Sequence, residues 1–170
     1  MKNIIIAENL YQDTDNLKEL ISKLEFEDNL YGKEIKEFFY IPDGIVNYFI
    51  NISGEQDLEI QPDTGTFRKP NNMIHFSNFY QHSLWRVAVA LEDTTCKIYS
   101  HTESNVKTFF DLDQTNVEQF CLNNSFNADK WNVLHTINMS KNTVVFIRPW
   151  MFHSFTEEKL IQLFMLNAKV

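Results

Sequence analysis

From residue 57 onward the sequence is a succession of short runs rich in β-branched and aromatic residues, closely spaced and parted by polar turns. The runs are 57–61 (DLEIQ), 65–69 (GTFRK), 73–79 (MIHFSNF), 84–91 (LWRVAVAL), 95–100 (TCKIYS) and 106–110 (VKTFF). One helical insertion follows, where Thr115 and Glu118 spell a T-x-x-E capping box and Val117, Phe120 and Cys121 share a face. Strands resume at 133–138 (VLHTIN), 143–149 (TVVFIRP) and 159–166 (KLIQLFML). Many short strands at such spacing predict a sandwich or a β-helical barrel. The runs 84–91 and 143–147 are expected to be central and buried, because their β-branched content suits a pleated, packed surface.

The first third reads differently. Ile4–Ile6 is an apolar run of strand type. Thr14 or Asp15 offers an N-cap, and Leu17, Leu20, Ile21 and Leu24 follow at i, i+3, i+4 and i+7, which predicts a helix over 15–25. Residues 33–40 (KEIKEFFY) read as a second helix, ended by the turn chemistry of Ile41-Pro42-Asp43-Gly44. The stretch 45–52 suits a strand or a buried helix equally. No repeat, low-complexity tract or linker interrupts the chain. The expected organisation is one domain over 1–170, with a mainly helical section at 1–56 packed on a β core at 57–170.

Charge and cysteine content narrow the function classes. The net charge is −8 and the pI is near 5.1, a balance that repels phosphate backbones and argues against nucleic-acid partners. Cys96 and Cys121 form no CxxC pair, which suits a reducing compartment. The opening MKNIIIAENLYQD has too short an apolar run for a signal-peptide core, and no window of about 18 apolar residues predicts a membrane span. The expected location is the cytoplasm. There is no phosphate-cradling glycine loop, no G-x-S-x-G elbow and no H-E-x-x-H.

Three histidines carry the chemistry that remains. His75 sits near the start of a strand, Arg86 opens W-R-x-x-V-A-L eleven residues later, and His153 follows a strand and a proline-containing bend. This order, over roughly residues 57–167, resembles the double-stranded β-helix of the iron(II)/2-oxoglutarate-dependent oxygenases and, more loosely, the cupins. The resemblance implies a jelly-roll fold with N-terminal helices, Fe(II) and 2-oxoglutarate as cofactors, and a facial triad of two histidines and one carboxylate. His75 and His153 stand where its first and last ligands would be.

Two departures accompany it. The acid expected two residues after the first histidine is Ser77, and the halogenating branch that lacks this acid carries Gly or Ala there instead. The basic residue that pairs with the 2-oxoglutarate carboxylate is expected about ten residues past the distal histidine, where Leu163 stands. Lys159 is the nearby basic residue and takes the cofactor-binding assignment.

A second constellation, His101-Thr102-Glu103 with His153, is complete as H-x-E plus a distal histidine, since alternate strand residues share a face. The segment around it, Ser-His-Thr-Glu-Ser, reads as an exposed polar turn. Trp85, Phe146, Trp150, Phe152 and Phe155 are expected in the core, Trp150 alternatively at a cavity mouth. Two functions follow: an oxygenase-like enzyme or a degenerate relative of one, and a non-catalytic binding or assembly module of cupin-like fold that binds no cofactor. The substrate, whether small molecule or protein, is not indicated by the sequence.

Overall fold

The alternating runs assemble into two antiparallel sheets. The computed structural model describes residues 2–36, 38–77, 81–113 and 115–169. Its large sheet runs in the order β1 (Ile4–Glu8), β9 (Thr143–Ile147), β6 (Ser83–Ala90), β11 (Ile161–Ala168), β5 (Thr66–Pro70), β3 (Gly32–Glu34), β2 (Glu27–Asn29), and β4 (Leu58–Ile60) pairs with the far end of β11. The small sheet is β10 (His153–Phe155), β7 (Thr94–His101) and β8 (Trp131–Met139). This is a β-sandwich of the jelly-roll kind with a few helices.

Period-2 alternation divides the core in two. Trp85, Val87 and Val89 of β6 point outward with Phe67, Phe146 and Phe164. They pack against Leu17 and Ile21 of α1 (Thr14–Ser22) and Ile45 and Phe49 of α2 (Ile45–Ser53). Ala88 and Ala90 point the other way, with Val145, Ile147, Ile161 and Leu163, onto Cys96, Ile98, Ile137, Met139 and Phe155 of the small sheet. Both runs expected to be central, 84–91 and 143–147, are buried strands.

Several local expectations are corrected. Helix α1 begins behind Asp13, whose Oδ1 accepts from the N–H groups of Asp15 and Asn16, so neither Thr14 nor Asp15 is the cap. The stretch 45–52 is helical, entered and left through Gly44 and Gly54, both with φ near +80°. The described residues of 33–40 are not a helix. Lys33 and Glu34 belong to a β2–β3 hairpin, and the chain then runs beside β5 through Ile35 N–H to Phe67 O and Tyr40 N–H to Gly65 O. Gly32 permits this: its φ is +124°, and a Cβ there would lie 2.2 Å from Lys69 O. Residues 1–56 therefore supply three strands of the large sheet as well as two helices.

Residues 106–110 form no strand; Thr108 bridges Met151, and a 3-10 turn covers Phe109–Asp111. The Thr115/Glu118 capping box does not close, because Thr115 donates to Asp113 and α3 (Val117–Asn124) starts at Asn116 without a side-chain cap. Cys121 of that helix is half-buried. Of the run 73–79, residues 73–77 make one bridge, at His75; 78 and 79 lie outside the described residues. Among the described residues no helix is long and apolar enough to cross a membrane.

Candidate functional site

Where β9 leaves the large sheet, Arg148-Pro149-Trp150 turns the chain, Met151 N–H closing on Arg148 O, and β10 begins in the small sheet. Residues 73–77 run beside β10. Their backbones meet at one point, His75 with His153, exchanging N–H···O bonds of 3.0 and 2.8 Å. The two imidazoles share a face and their ring centroids are 4.7 Å apart.

Both rings are tied in the same way. His75 Nδ1 lies 2.9 Å from Met73 O, and His153 Nδ1 lies 2.9 Å from Met151 O, each the carbonyl two residues back. A carbonyl only accepts, so each Nδ1 carries the proton and each Nε2 is left as a bare lone pair. No described residue hydrogen-bonds either Nε2. Such a tether through the second nitrogen is how ligating histidines are oriented. Burial is the main force lowering both pKa values, His153 to about 4 and His75 well below its ordinary value. His153 and the guanidiniums of Arg68 and Arg86 push His75 further down, and the two guanidiniums do the same to His153. Both imidazoles are neutral at pH 7, the form that binds a metal.

A cavity of about 180 Å³ is lined by His75, Arg68, Arg86, Glu34, Ser77, Gln61 and six further residues, and His153 lines a smaller crevice beside it with His75, Arg68 and Arg86. Arg68 Nη2 holds Glu34 at 2.9 Å, with both side chains largely buried. Glu34 is kept below the usual carboxylate range; burial opposes this, but Arg68 and hydrogen bonds from Thr66, Arg68 and Asn29 prevail. Arg86 has no ion-pair or hydrogen-bond partner among the described residues. Burial, then Arg68, pushes its pKa down to about 9. Three buried polar atoms of the lining also lack partners among the described residues: Ser77 Oγ, Gln61 Oε1 and Arg68 Nε. Buried polar groups are nearly always satisfied, so three orphans in one cavity mark a place built for a polar ligand or ordered water.

The other sequence candidates lie elsewhere. His101 is no surface residue: it ends β7 at 4% exposure, between Phe120 and Trp131. Its Nδ1 meets Ser104 Oγ at 2.9 Å and its Nε2 meets Asn124 Oδ1 at 3.3 Å, so neither nitrogen is open to a metal. Glu103 is exposed on the following turn, and the described residues bring no group of three His, Cys, Asp or Glu together around His153. Lys159 is exposed ahead of β11, near Glu92, and does not line the cavity. Leu163 is buried between the sheets. Trp150 is half-buried against Phe110 and lines neither the cavity nor the crevice at His153.

Arg68 and Arg86 carried no assignment in the sequence reading. The signal for Arg86 was present: it shares the inward face of β6 with Ala88 and Ala90, an arginine among small residues where the alternation calls for apolar ones. It also lies opposite Met165 in the register of β11.

No family model and no curated protein matches the chain. A solved structure does. It is HygX from Streptomyces hygroscopicus, determined with nickel, 2-oxoglutarate and hygromycin B bound. The TM-score is 0.56 at 9% identity, over 98% of this chain and 83% of that one. At that identity the likeness is one of fold alone.

Proposed function

We propose that the chain is a double-stranded β-helix protein of the iron(II)/2-oxoglutarate-dependent oxygenase group with a reduced metal site. His75 and His153 are its two protein ligands, and Arg86, beside Arg68, receives the distal carboxylate of a 2-oxo acid. The observation that carries this is the His75–His153 bridge, which brings two imidazoles with bare Nε2 atoms to a centroid separation of 4.7 Å, with His75 at the edge of a cavity that holds Arg68 and Arg86. Metal–nitrogen bonds of about 2.0–2.1 Å require the two nitrogens to lie within roughly 4 Å of each other. Ring centroids 4.7 Å apart are compatible with that.

The order of the sheets supports the fold assignment. Four central strands of the large sheet, β5, β11, β6 and β9, face the His75 bridge, β10, β7 and β8. From β5 to β11 the chain passes repeatedly between the two sheets, as the turns of a double-stranded helix do. The nickel and 2-oxoglutarate found in HygX agree with the ligand set.

The donor set fits such a centre in part. Two oriented imidazoles are present, and the third protein ligand of the facial triad is replaced by the hydroxyl of Ser77. Iron held with a 2-oxo acid would supply oxidative chemistry. This chain's own part is to orient the imidazoles through Met73 O and Met151 O, neutralise a carboxylate with Arg86 and keep the inner wall dry with Phe155, Ile161 and Leu163. Two nearby guanidiniums disfavour a bare cation, and a dianion offsets them, so metal and 2-oxo acid should bind together.

Anaerobic calorimetric titration with Fe(II), or with Co(II) as an optical stand-in, tests this. Metal should bind weakly alone and much more tightly with 2-oxoglutarate present, and His153→Ala should abolish binding. Arg86→Met should remove the effect of 2-oxoglutarate. Metal affinity equal in wild type and His153→Ala would sink the reading. Ser77 and the paired guanidiniums favour a second reading, a non-catalytic carboxylate-binding module. It predicts that 2-oxoglutarate binds without metal and equally well to His153→Ala.

A further inference from the structure

A second recess reaches His75 from outside the charged cavity. It has a volume of about 440 Å³ and is lined by Leu30, Tyr31, Met73, His75, Phe76, Thr115, Val117, Glu118 and Cys121. Its walls are the tip of the β2–β3 hairpin and one face of α3, where Val117 and Cys121 are four residues apart. It shares only Tyr31, His75 and Phe76 with the charged cavity.

The two compartments differ in chemistry. The cavity carries Arg68, Arg86, Glu34 and Asp63 with hydroxyl and amide groups. The groove is mostly apolar, and Glu118 is its one carboxylate; no described cation pairs with it. A largely apolar recess of a few hundred Å³ with a few placed polar groups is the usual form of a small-molecule site.

We infer that this groove binds the molecule acted on: a small amphiphile whose apolar body lies between Leu30, Met73, Phe76 and Val117, with a positively charged end on Glu118. The assignment rests on the proposed function for the meaning of its contact with His75. The binding itself requires no metal. Size and lining set the apolar body, and the unpaired carboxylate sets the sign of the head group. An anionic group belongs to the cavity on the other side of His75, where the guanidiniums are.

Cys121 is a built-in reporter. Its thiol lines the groove and is half-buried, whereas Cys96 is fully buried between the sheets. Thiol-reagent labelling of the metal-free protein should therefore modify Cys121 alone, and Cys121→Ser should label only on unfolding. Two probes with one apolar body, 4-phenylbutylammonium and 4-phenylbutanoate, are then compared as protectants. The ammonium should slow labelling of Cys121 and bind about two- to fivefold more tightly than the carboxylate, the preference expected of a partly exposed ion pair. Glu118→Gln should erase that preference while leaving protection by the apolar body. Absence of protection by either probe, or equal protection by both, overturns the inference. Loss of metal binding with amine protection intact would overturn the metal centre and leave the groove standing.

Discussion

The histidine bridge and the histidine at the end of β7 are two solutions to burying an imidazole, and the difference separates a site from a structural knot. His101 spends both nitrogens on Ser104 and Asn124 and is walled by two aromatic rings. His75 and His153 each spend one nitrogen on a carbonyl and leave the other uncovered. All three are taken largely out of water. Of the three, only the members of the pair leave a ring nitrogen without an internal hydrogen bond, and only His75 lines the cavity with the orphaned polar atoms.

The largest effect should come from the satisfied histidine. His101→Ala leaves Asn124 and Ser104 without their partner and opens a void between Phe120 and Trp131. It should cost about 3–4 kcal/mol, measured by chemical denaturation. Metal affinity should be unchanged. A small stability loss, or a loss of metal binding, would erase the distinction between the two regions.

Acid should act on the pair next. A histidine titrating near pH 6.5 when unfolded and near 4 when folded makes the unfolded chain take up a proton that the folded one refuses. Stability is therefore complete above pH 6.5 and falls as the pH drops towards about 4. His75 contributes in the same direction, and the groups facing the pair, Arg68 and Arg86, reinforce it. At one proton and about 1.4 kcal/mol per pH unit, His153 alone should remove about 2 kcal/mol by pH 5. Urea midpoints at pH 7 and pH 5 should differ more for wild type than for His153→Asn; equal differences would mean that His153 titrates normally when folded.

The smallest effect is a gain. Ser77→Asp places a carboxylate two residues after His75, beside the guanidiniums and the bare nitrogens. It should tighten Co(II) binding by at least about tenfold, or ~1.4 kcal/mol. Unchanged affinity would show that residue 77 does not face the shared side of the two imidazoles.

The pair was legible because both histidines stand in a recognisable order around W-R-x-x-V-A-L, and order along the chain survives when motifs erode. The guanidiniums were missed for a physical reason. A cation facing inward is recognised by the face it shares, and the face of Arg86 is known only once Trp85, Val87 and Val89 are seen packing on the helices. Lys159 was chosen by distance along the chain, whereas a neighbouring strand brings Arg86 to the cavity across the ladder opposite Met165. The helix expected at 33–40 failed because Gly32 allows close approach to Lys69 and Pro70, and pairing with β5 then outweighs local helical preference. His101 read as a turn because its polar neighbours conceal the aromatic wall supplied by residues 120 and 131.

The single backbone bridge between His75 and His153 makes the proposed centre a vernier. Sequence positions on an extended segment alternate between faces, so a slip of residues 73–77 by one position along β10 would present Ile74 or Phe76 in place of His75. Two main-chain bonds to His153, with Ile74 N–H on Ser125 O and Ser77 N–H on Pro149 O at either side, hold that alignment. The spacing of the two imidazoles is thus encoded in the pairing of peptide groups.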